Sequence, residues 1–334
     1  MPLNIAVLGA GRIGQVHAAA VASVPDANLV AVSDPDSAAA ESLRDRFGAE
    51  IKSIADIHDS ADIDAVIICT PTDTHADLID LFARAGKAVF CEKPIDLDVA
   101  RVRASLEVVN ETSATLMVGF NRRFDPDFNE LKAAIDGGLV GDVEMVTITS
   151  RDPGPPSYGY IERSGGIFRD MTIHDFDVAR WLLDEEIESV FAAGSVLVDT
   201  GIGARGDFDS VNVIMKTPSG RQAVITNSRR AVYGYDQRIE VHGSAGAISA
   251  QNQHEARIEL ADAHGYHRPP LMNFFMNRYE AAYAAEIAAF VHAAVSKTQP
   301  PTTGDDGLMA LVLAEAAVRS TTEARAVNVA EILG

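Results

Sequence analysis

The stretch that most constrains this chain is Gly9-Ala10-Gly11-Arg12-Ile13-Gly14, because of what stands on either side of it. Leu3 to Leu8 is a short apolar run and Arg12 to Ser23 follows a helical period, so the glycines make a strand-to-helix turn. A second apolar run, Leu29 to Ser33, ends at Asp34, 20 residues after the last glycine. That is the complete pattern of a turn that receives a dinucleotide. Gly9 permits the tight turn, Gly11 lets a pyrophosphate approach the backbone, and Gly14 lets the helix lie close on the strand. The anion meets the N–H groups and positive end of the helix, with Arg12 and Ile13 lining the same turn. Asp34 is placed to accept from the adenosine ribose hydroxyls. Its carboxylate repels a 2′-phosphate, and Ser33, Pro35 and Asp36 offer no cation to offset that. The expected cofactor is therefore NAD, not NADP.

The alternation continues through Ser37 to Phe47 (helix), Ala65 to Cys69 (strand), His75 to Ala85 (helix), Ala88 to Cys91 (strand), Leu97 to Asn110 (helix) and the apolar run Leu116 to Gly119. Strands that are apolar throughout, alternating with helices, predict a parallel sheet covered on both faces. Right-handed crossovers make this a doubly wound, Rossmann-type sheet over residues 1–120. Beyond Asn121 the pattern changes. A helix over Asp127 to Asp136 ends at Gly137-Gly138, and strand-like runs follow: VEMVTITSR (143–151), SVFAAGSVLVD (189–199), SVNVIMKT (210–217), RQAVITNSRR (221–230), QRIEVHGS (237–244) and GAISAQ (246–251). TPSG (217–220) and GSAG (243–246) read as hairpin turns and hence antiparallel pairing. A helix over His174 to Leu183 interrupts these runs, and two Ala-rich helices, Arg278 to Ser296 and Asp305 to Thr322, close the chain. The expectation is an α/β protein: a Rossmann domain over 1–120 and an α+β domain over 121–334.

At 334 residues and 47% apolar content the chain suits two ordinary cores. Its 28 basic against 48 acidic residues give a formal net charge of −20. Such a surface repels phosphate backbones and anionic lipid, which argues against nucleic-acid and membrane roles. An anionic cofactor must then be held by local backbone geometry. Cys69 and Cys91 lie in apolar runs, lack zinc-like spacing, and read as small core residues in a reducing compartment. The N-terminal MPLNIAVLGAG has no basic n-region or cleavage site, and no apolar run approaches the roughly 18–20 residues of a membrane span. A cytoplasmic protein without a metal site is expected.

Loops after the strands should line the cofactor crevice: Thr70-Pro71-Thr72-Asp73-Thr74-His75 and Glu92-Lys93-Pro94. His75 opens a helix and reads equally as a cap or packing residue and as nicotinamide-side lining. Lys93 stands at the mouth of a buried strand, where a cation stabilises a developing alkoxide. Glu92 either holds that lysine or touches the ribose. Asp170 and His174 are four apart and share a face on a helical turn. A carboxylate beside an imidazole orients its tautomer and stabilises the imidazolium formed on proton abstraction, which is the base that alcohol oxidation by NAD needs. A helix start with local capping contacts is the other reading of the same pair. Asn121-Arg122-Arg123, Ser150-Arg151-Asp152 and the stretch Arg229 to Asp236 add polar groups that together suit a polyhydroxy substrate.

With these residues assembled, the chain resembles the glucose–fructose oxidoreductase/inositol dehydrogenase (Gfo/Idh/MocA) family over its whole length. The carriers are GAGRIG (9–14), TPTDTH (70–75), EKP (92–94) and DMTIHD (170–175). GFNRRFDP (119–126), GGIFRDMTIHDFDVARWLL (165–183), AVYGYDQR (231–238) and RYEAAYAAEIAAF (278–290) look most like its inositol-oxidising members. The resemblance implies a catalytic trio: His174 as general base, Asp170 as its partner, and Lys93 as a hydroxyl ligand linking substrate to cofactor. It implies substrate contacts from around Arg122, from around Asp152 and from Tyr233. It also implies a large open, mainly antiparallel sheet in the second domain, through which copies assemble as a dimer or tetramer. The implied reaction is NAD-dependent oxidation of a ring hydroxyl of myo-inositol to 2-keto-inositol, and siblings act on scyllo-inositol or aldopyranoses such as glucose. The loop Asp152 to Arg163 is where that choice is expected to be made. A catalytically silent NAD-binding sensor is the reading from another class, and the joint presence of Lys93, Asp170 and His174 disfavours it.

Overall fold

The computed structural model describes residues 2–334. The chain forms two compact units, one running to Asp125 and resuming over Glu280–Leu311, the other comprising Pro126–Tyr279 and Val312–Gly334.

The first unit is a six-stranded sheet of β1 (Leu3–Leu8), β2 (Ala27–Ser33), β3 (Glu50–Ile51), β4 (Ala65–Ile68), β5 (Ala88–Glu92) and β6 (Leu116–Gly119), in the order β3-β2-β1-β4-β5-β6. Every neighbouring pair is parallel. Ala65, Val66, Ile67 and Ile68 are all buried, which is why this strand is apolar without alternation. The crossovers are α1 (Arg12–Ser23), α2 (Ser37–Phe47), α3 (Ile54–Asp59), α4 (His75–Arg84) and α5 (Val99–Thr112). The strand order reverses between β1 and β4, so the crevice at their C-terminal ends is the dinucleotide position of such a sheet. β3 and α3 were not expected, because each is too short to show a period.

The expected single join at residue 120 differs from what is observed. The helix Glu280–Ser296 belongs to the first unit, where Phe290 meets Phe90 edge-on at 5.7 Å and Tyr283 meets His17 at 5.4 Å. The segment after it docks on β6, with Thr302 Oγ1 donating to Val118 O at 2.7 Å. An Ala-rich helix carries no local mark of which core it will cover.

The second unit holds a seven-stranded sheet built from β7 (Val143–Arg151), β8 (Ser189–Ser195), β9 (Ser210–Lys216), β10 (Gln222–Ser228), β11 (Asp236–Gly243) and β12 (Gly246–Ala250). Its order is β12-β11-β7-β10-β9-β8 followed by Val327–Asn328. The hairpins at TPSG and GSAG are formed. β7 and β10 pair in parallel, so the sheet is mixed and mostly antiparallel. Its helices include α6 (Pro126–Asp136), α7 (Tyr158–Ser164), which occupies part of the expected loop 152–163, and α8 (Ile173–Leu183). β8 stops at Ser195, short of the expected 199, because the amides of Leu197, Val198 and Asp199 turn onto the Asp209 carboxylate. One face of the sheet packs on α8. On the other, Phe191, Ile214 and Val224 lie directly across from one another and are 41%, 48% and 37% exposed.

Candidate active site

β1 runs into the glycine turn. Gly9 has φ 94°, and a Cβ there would stand 2.6 Å from Cys69 O. A Cβ on Gly14 would stand 1.9 Å from Gly9 O, so α1 meets the turn where no side chain fits. Gly11 is different, with nothing within 4 Å of its Cβ position. It is the N-cap of α1, which has neither a side-chain cap nor an acidic residue in its first turn. Its leading N–H groups therefore face an open backbone cradle suited to an anion. Arg12 is exposed and Ile13 half-buried at its edge. Asp34 Oδ2 accepts from Ala10 N–H at 2.5 Å and Oδ1 from Asp36 N–H at 2.7 Å. That orients a half-buried carboxylate and leaves lone pairs for a ribose diol. These residues fit NAD: the N–H groups at Gly11 would face its pyrophosphate and Asp34 its adenosine ribose.

The loops after β4 and β5 are tied together. The Thr70 and Thr74 hydroxyls lie 2.6 Å apart, and Thr74 Oγ1 donates to Pro71 O at 2.7 Å. His75 is buried with Nδ1 2.8 Å from Pro94 O and Nε2 2.8 Å from Thr70 O. Burial pushes its pKa down, against the opposing pull of the two carbonyls. Of the two readings left open, the geometry supports a packing clamp: the buried ring lies between Thr70 O of the loop after β4 and Pro94 O of the loop after β5. Glu92 is also buried. Its Oε1 is 2.6 Å from His17 Nε2, and its Oε2 accepts from Lys93 N–H at 3.3 Å. His17 Nδ1 has no hydrogen-bond partner among the described residues, which favours the tautomer that donates from Nε2 to Glu92. Glu92 thus holds the lysine segment from beneath. His17 was not singled out from sequence, since a lone histidine on the apolar face of a helix gives no signal until β5 is beside it. Lys93 is half-buried at the end of β5, and Asn121 and Arg122 are buried in the turn after β6. Burial raises the thiol pKa of both Cys69 and Cys91 well above the usual value, as inert core residues require.

In the second unit, Phe168–Thr172 is a π-helical turn that runs directly into α8, a departure often found at functional sites. It carries Asp170, and His174 follows one turn later. Asp170 Oδ1 accepts from the Tyr160 hydroxyl at 2.7 Å, and Oδ2 lies 3.3 Å from Arg229 Nη1. Behind the turn, Asp175 accepts from Ser150 Oγ and Asn227 Nδ2, both at 2.7 Å, and Thr172 Oγ1 donates to Asn227 Oδ1 at 2.6 Å. This buried network fixes where α8 begins and therefore where His174 points from. Asp152 is half-buried, its N–H donating to Ser228 O at 3.0 Å.

Tyr233 is not brought to Asp170 and His174. Ser150 faces α8, so the next residue, Arg151, faces the opposite side of the sheet, and there its Nη1 donates to Tyr233 Oη at 2.9 Å. The Tyr233 hydroxyl donates to Asp236 Oδ2 at 2.6 Å. Burial, and then this carboxylate, raise its pKa. Tyr233 thus lies with Arg151 and Asp236 on the side of the sheet away from α8. Tyr160 and Asp207 were missed. For Asp207 the available signal was the Gly165-Gly166 pair, which marks a turn packed on a neighbour: a Cβ on Gly166 would stand 2.8 Å from Asp207 Oδ1.

Among the described residues no three His, Cys, Asp or Glu side chains are grouped to hold a metal ion, and no helix is long and apolar enough to cross a membrane. Residues 3–120 match the model of an oxidoreductase family with an NAD-binding Rossmann fold, and residues 128–249 match the Gfo/Idh/MocA C-terminal domain. The chain is 62% identical to an inositol 2-dehydrogenase of Rhizobium meliloti, over 99% of this chain and 100% of that protein. It is 45% identical to a myo-inositol 2-dehydrogenase of Thermotoga maritima, over 99% of this chain and 100% of that protein. Among solved structures, scyllo-inositol dehydrogenase from Lactobacillus casei with bound NAD(H) and scyllo-inositol matches with a TM-score of 0.92 at 29% identity, covering 99% of this chain and 100% of that one.

Proposed function

This chain belongs to the Gfo/Idh/MocA oxidoreductase family, and from that membership we propose that it oxidises one ring hydroxyl of myo-inositol to 2-keto-inositol, with NAD as the acceptor. The observation that carries the reading is Asp170, held at both oxygens one helical turn before His174. Bound NAD supplies a nicotinamide ring able to take up a hydride. His174 accepts the hydroxyl proton as the carbon–hydrogen bond breaks with its electron pair, so the carbon becomes a ketone and loses two electrons. Asp170 orients the imidazole and stabilises the imidazolium that forms. Lys93 ligates the same oxygen and lowers the energy of its alkoxide character. Arg122 and Asp152 grip further hydroxyls of the ring.

The test is an absorbance screen for NADH with purified protein, NAD or NADP, and a panel of inositol isomers, glucose, xylose and galactose. Turnover of myo-inositol with NAD is expected, and no turnover of any inositol sinks the assignment. Scyllo-inositol is the second reading, favoured by the match to the Lactobacillus casei enzyme along the whole chain. The exposed row Phe191, Ile214 and Val224 supports assembly of copies through the sheet as a dimer or tetramer. Two buried, unbridged thiols support a cytoplasmic site of action.

A further inference from the structure

Arg229 is 1% exposed and among the largest fully buried side chains of the protein. A guanidinium is withdrawn from water at a large desolvation cost unless carboxylates meet it. Two do, one at each terminal nitrogen: Asp170 Oδ2 at 3.3 Å from Nη1 and Asp207 Oδ2 at 3.5 Å from Nη2. The cation is thus shared, rather than forked onto a single carboxylate. Asp207 Oδ1 accepts from Ile167 N–H at 2.9 Å, which ties it to the turn leading into Asp170. Neighbouring charges on that turn are engaged elsewhere, Arg169 by Glu315 and Asp175 by Ser150 and Asn227. The groups that face Asp170 from the packed elements include Tyr160 of α7, Arg229 beyond β10 and, across Arg229, Asp207.

We infer that Arg229 is a positioning residue for the general base: it holds the Asp170 carboxylate in place and offsets part of its charge, so that His174 waits as a neutral base. The inference rests on the reading of His174 as the base. An unshared carboxylate beside an imidazole favours the protonated ring, and a protonated ring cannot take the hydroxyl proton. A carboxylate shared with a guanidinium has a weaker hold on the proton of a neighbouring imidazolium before reaction.

The experiment is an NMR titration of the His174 ring in the whole protein without substrate, paired with the pH profile of kcat/KM. Arg229→Gln raises the His174 midpoint by about one pH unit, and the acidic limb of the profile moves up with it. Arg229→Lys restores most of both. Because a buried arginine can be needed for folding, two gentler variants carry the test independently. Tyr160→Phe removes a donor from Asp170 and raises the midpoint. Asp207→Asn keeps an acceptor for Ile167 N–H, removes the charge competing for Arg229, and lowers the midpoint. Shifts of opposite sign in these two variants support the inference. No shift, or shifts of the same sign, overturns it and leaves Arg229 a structural ion. The midpoint needs no substrate, so a failure of inositol turnover counts against the functional reading and leaves this comparison intact.

Discussion

At Asp34 each carboxylate oxygen already accepts a backbone N–H, and lone pairs remain that would accept from a ribose diol. Hydrogen bonds to a charged group contribute about 1.5–3 kcal/mol each. Asp34→Ala is therefore expected to weaken NAD binding by roughly 10–100-fold and to narrow the preference over NADP, read by calorimetric titration of both. An unchanged preference removes the repulsion argument. Lys93→Ala and His174→Ala should each lower turnover by roughly 10²–10⁴-fold, read as initial rates of NADH formation. Unchanged rates withdraw those roles. His75 acts on stability instead. Its folded-state pKa is lowered by burial, so below the ordinary value of 6.5 the unfolded chain takes up a proton that the folded chain resists. The contribution is complete above about 6.5 and is lost as pH falls below it. The melting temperature of the parent should fall more steeply between neutral pH and pH 5.5 than that of His75→Asn, and parallel curves would count against the clamp.

Among elements, the turn from β1 into α1 separates two kinds of glycine. At Gly14 a Cβ meets Gly9 O, a backbone atom that cannot swing aside. Gly14→Ala should therefore cost roughly 1–3 kcal/mol of stability as well as NAD affinity. At Gly11 the Cβ position is open and φ is −65°, so Gly11→Ala should melt with the parent and still lose NAD affinity, because the methyl fills the cradle. Parent-like NAD binding in Gly11→Ala would show the cradle to be misplaced. This turn was legible because its requirements are local: three glycines, a flanking apolar run and an acid at the end of the next strand. α1 and α2 were legible over their full observed spans for the same reason. α3 had its Ser53–Asp56 capping box in plain sight, but six residues are too few to show a period. The π-helical turn at Phe168–Thr172 had no local mark at all. Asn227 holds its last residue, Thr172, and Asn227 and Ser150 hold Asp175 in the helix it runs into, residues that meet only after β7 and β10 have paired.

At the scale of the whole molecule the sequence was least informative, because what matters there is pairing between distant segments. The parallel match of β7 with β10 and the return of Glu280–Leu311 to the first unit join residues far apart in the chain, with no signature at either end. The alternation within each strand was readable, and it carries the last prediction. In β9 the outward residues are Asn212, Ile214 and Lys216, and in β10 Gln222, Val224 and Thr226. Ile214 faces Val224 on one side and Phe191 on the other, and Met145, on the same face of β7, is 48% exposed. A continuous apolar row across a sheet, left in water, is the mark of a surface that pairs with a second copy, and a stable pairing covers roughly 800 Å² on each. The protein should therefore run as an oligomer by light scattering at micromolar concentration. Ile214→Lys combined with Val224→Lys places two ammonium groups in the middle of that row, where burial would strip their water. The double variant should lower the measured mass while the melt of the isolated fold stays cooperative. A monomeric parent, or a double variant of unchanged mass, would move the interface away from this face.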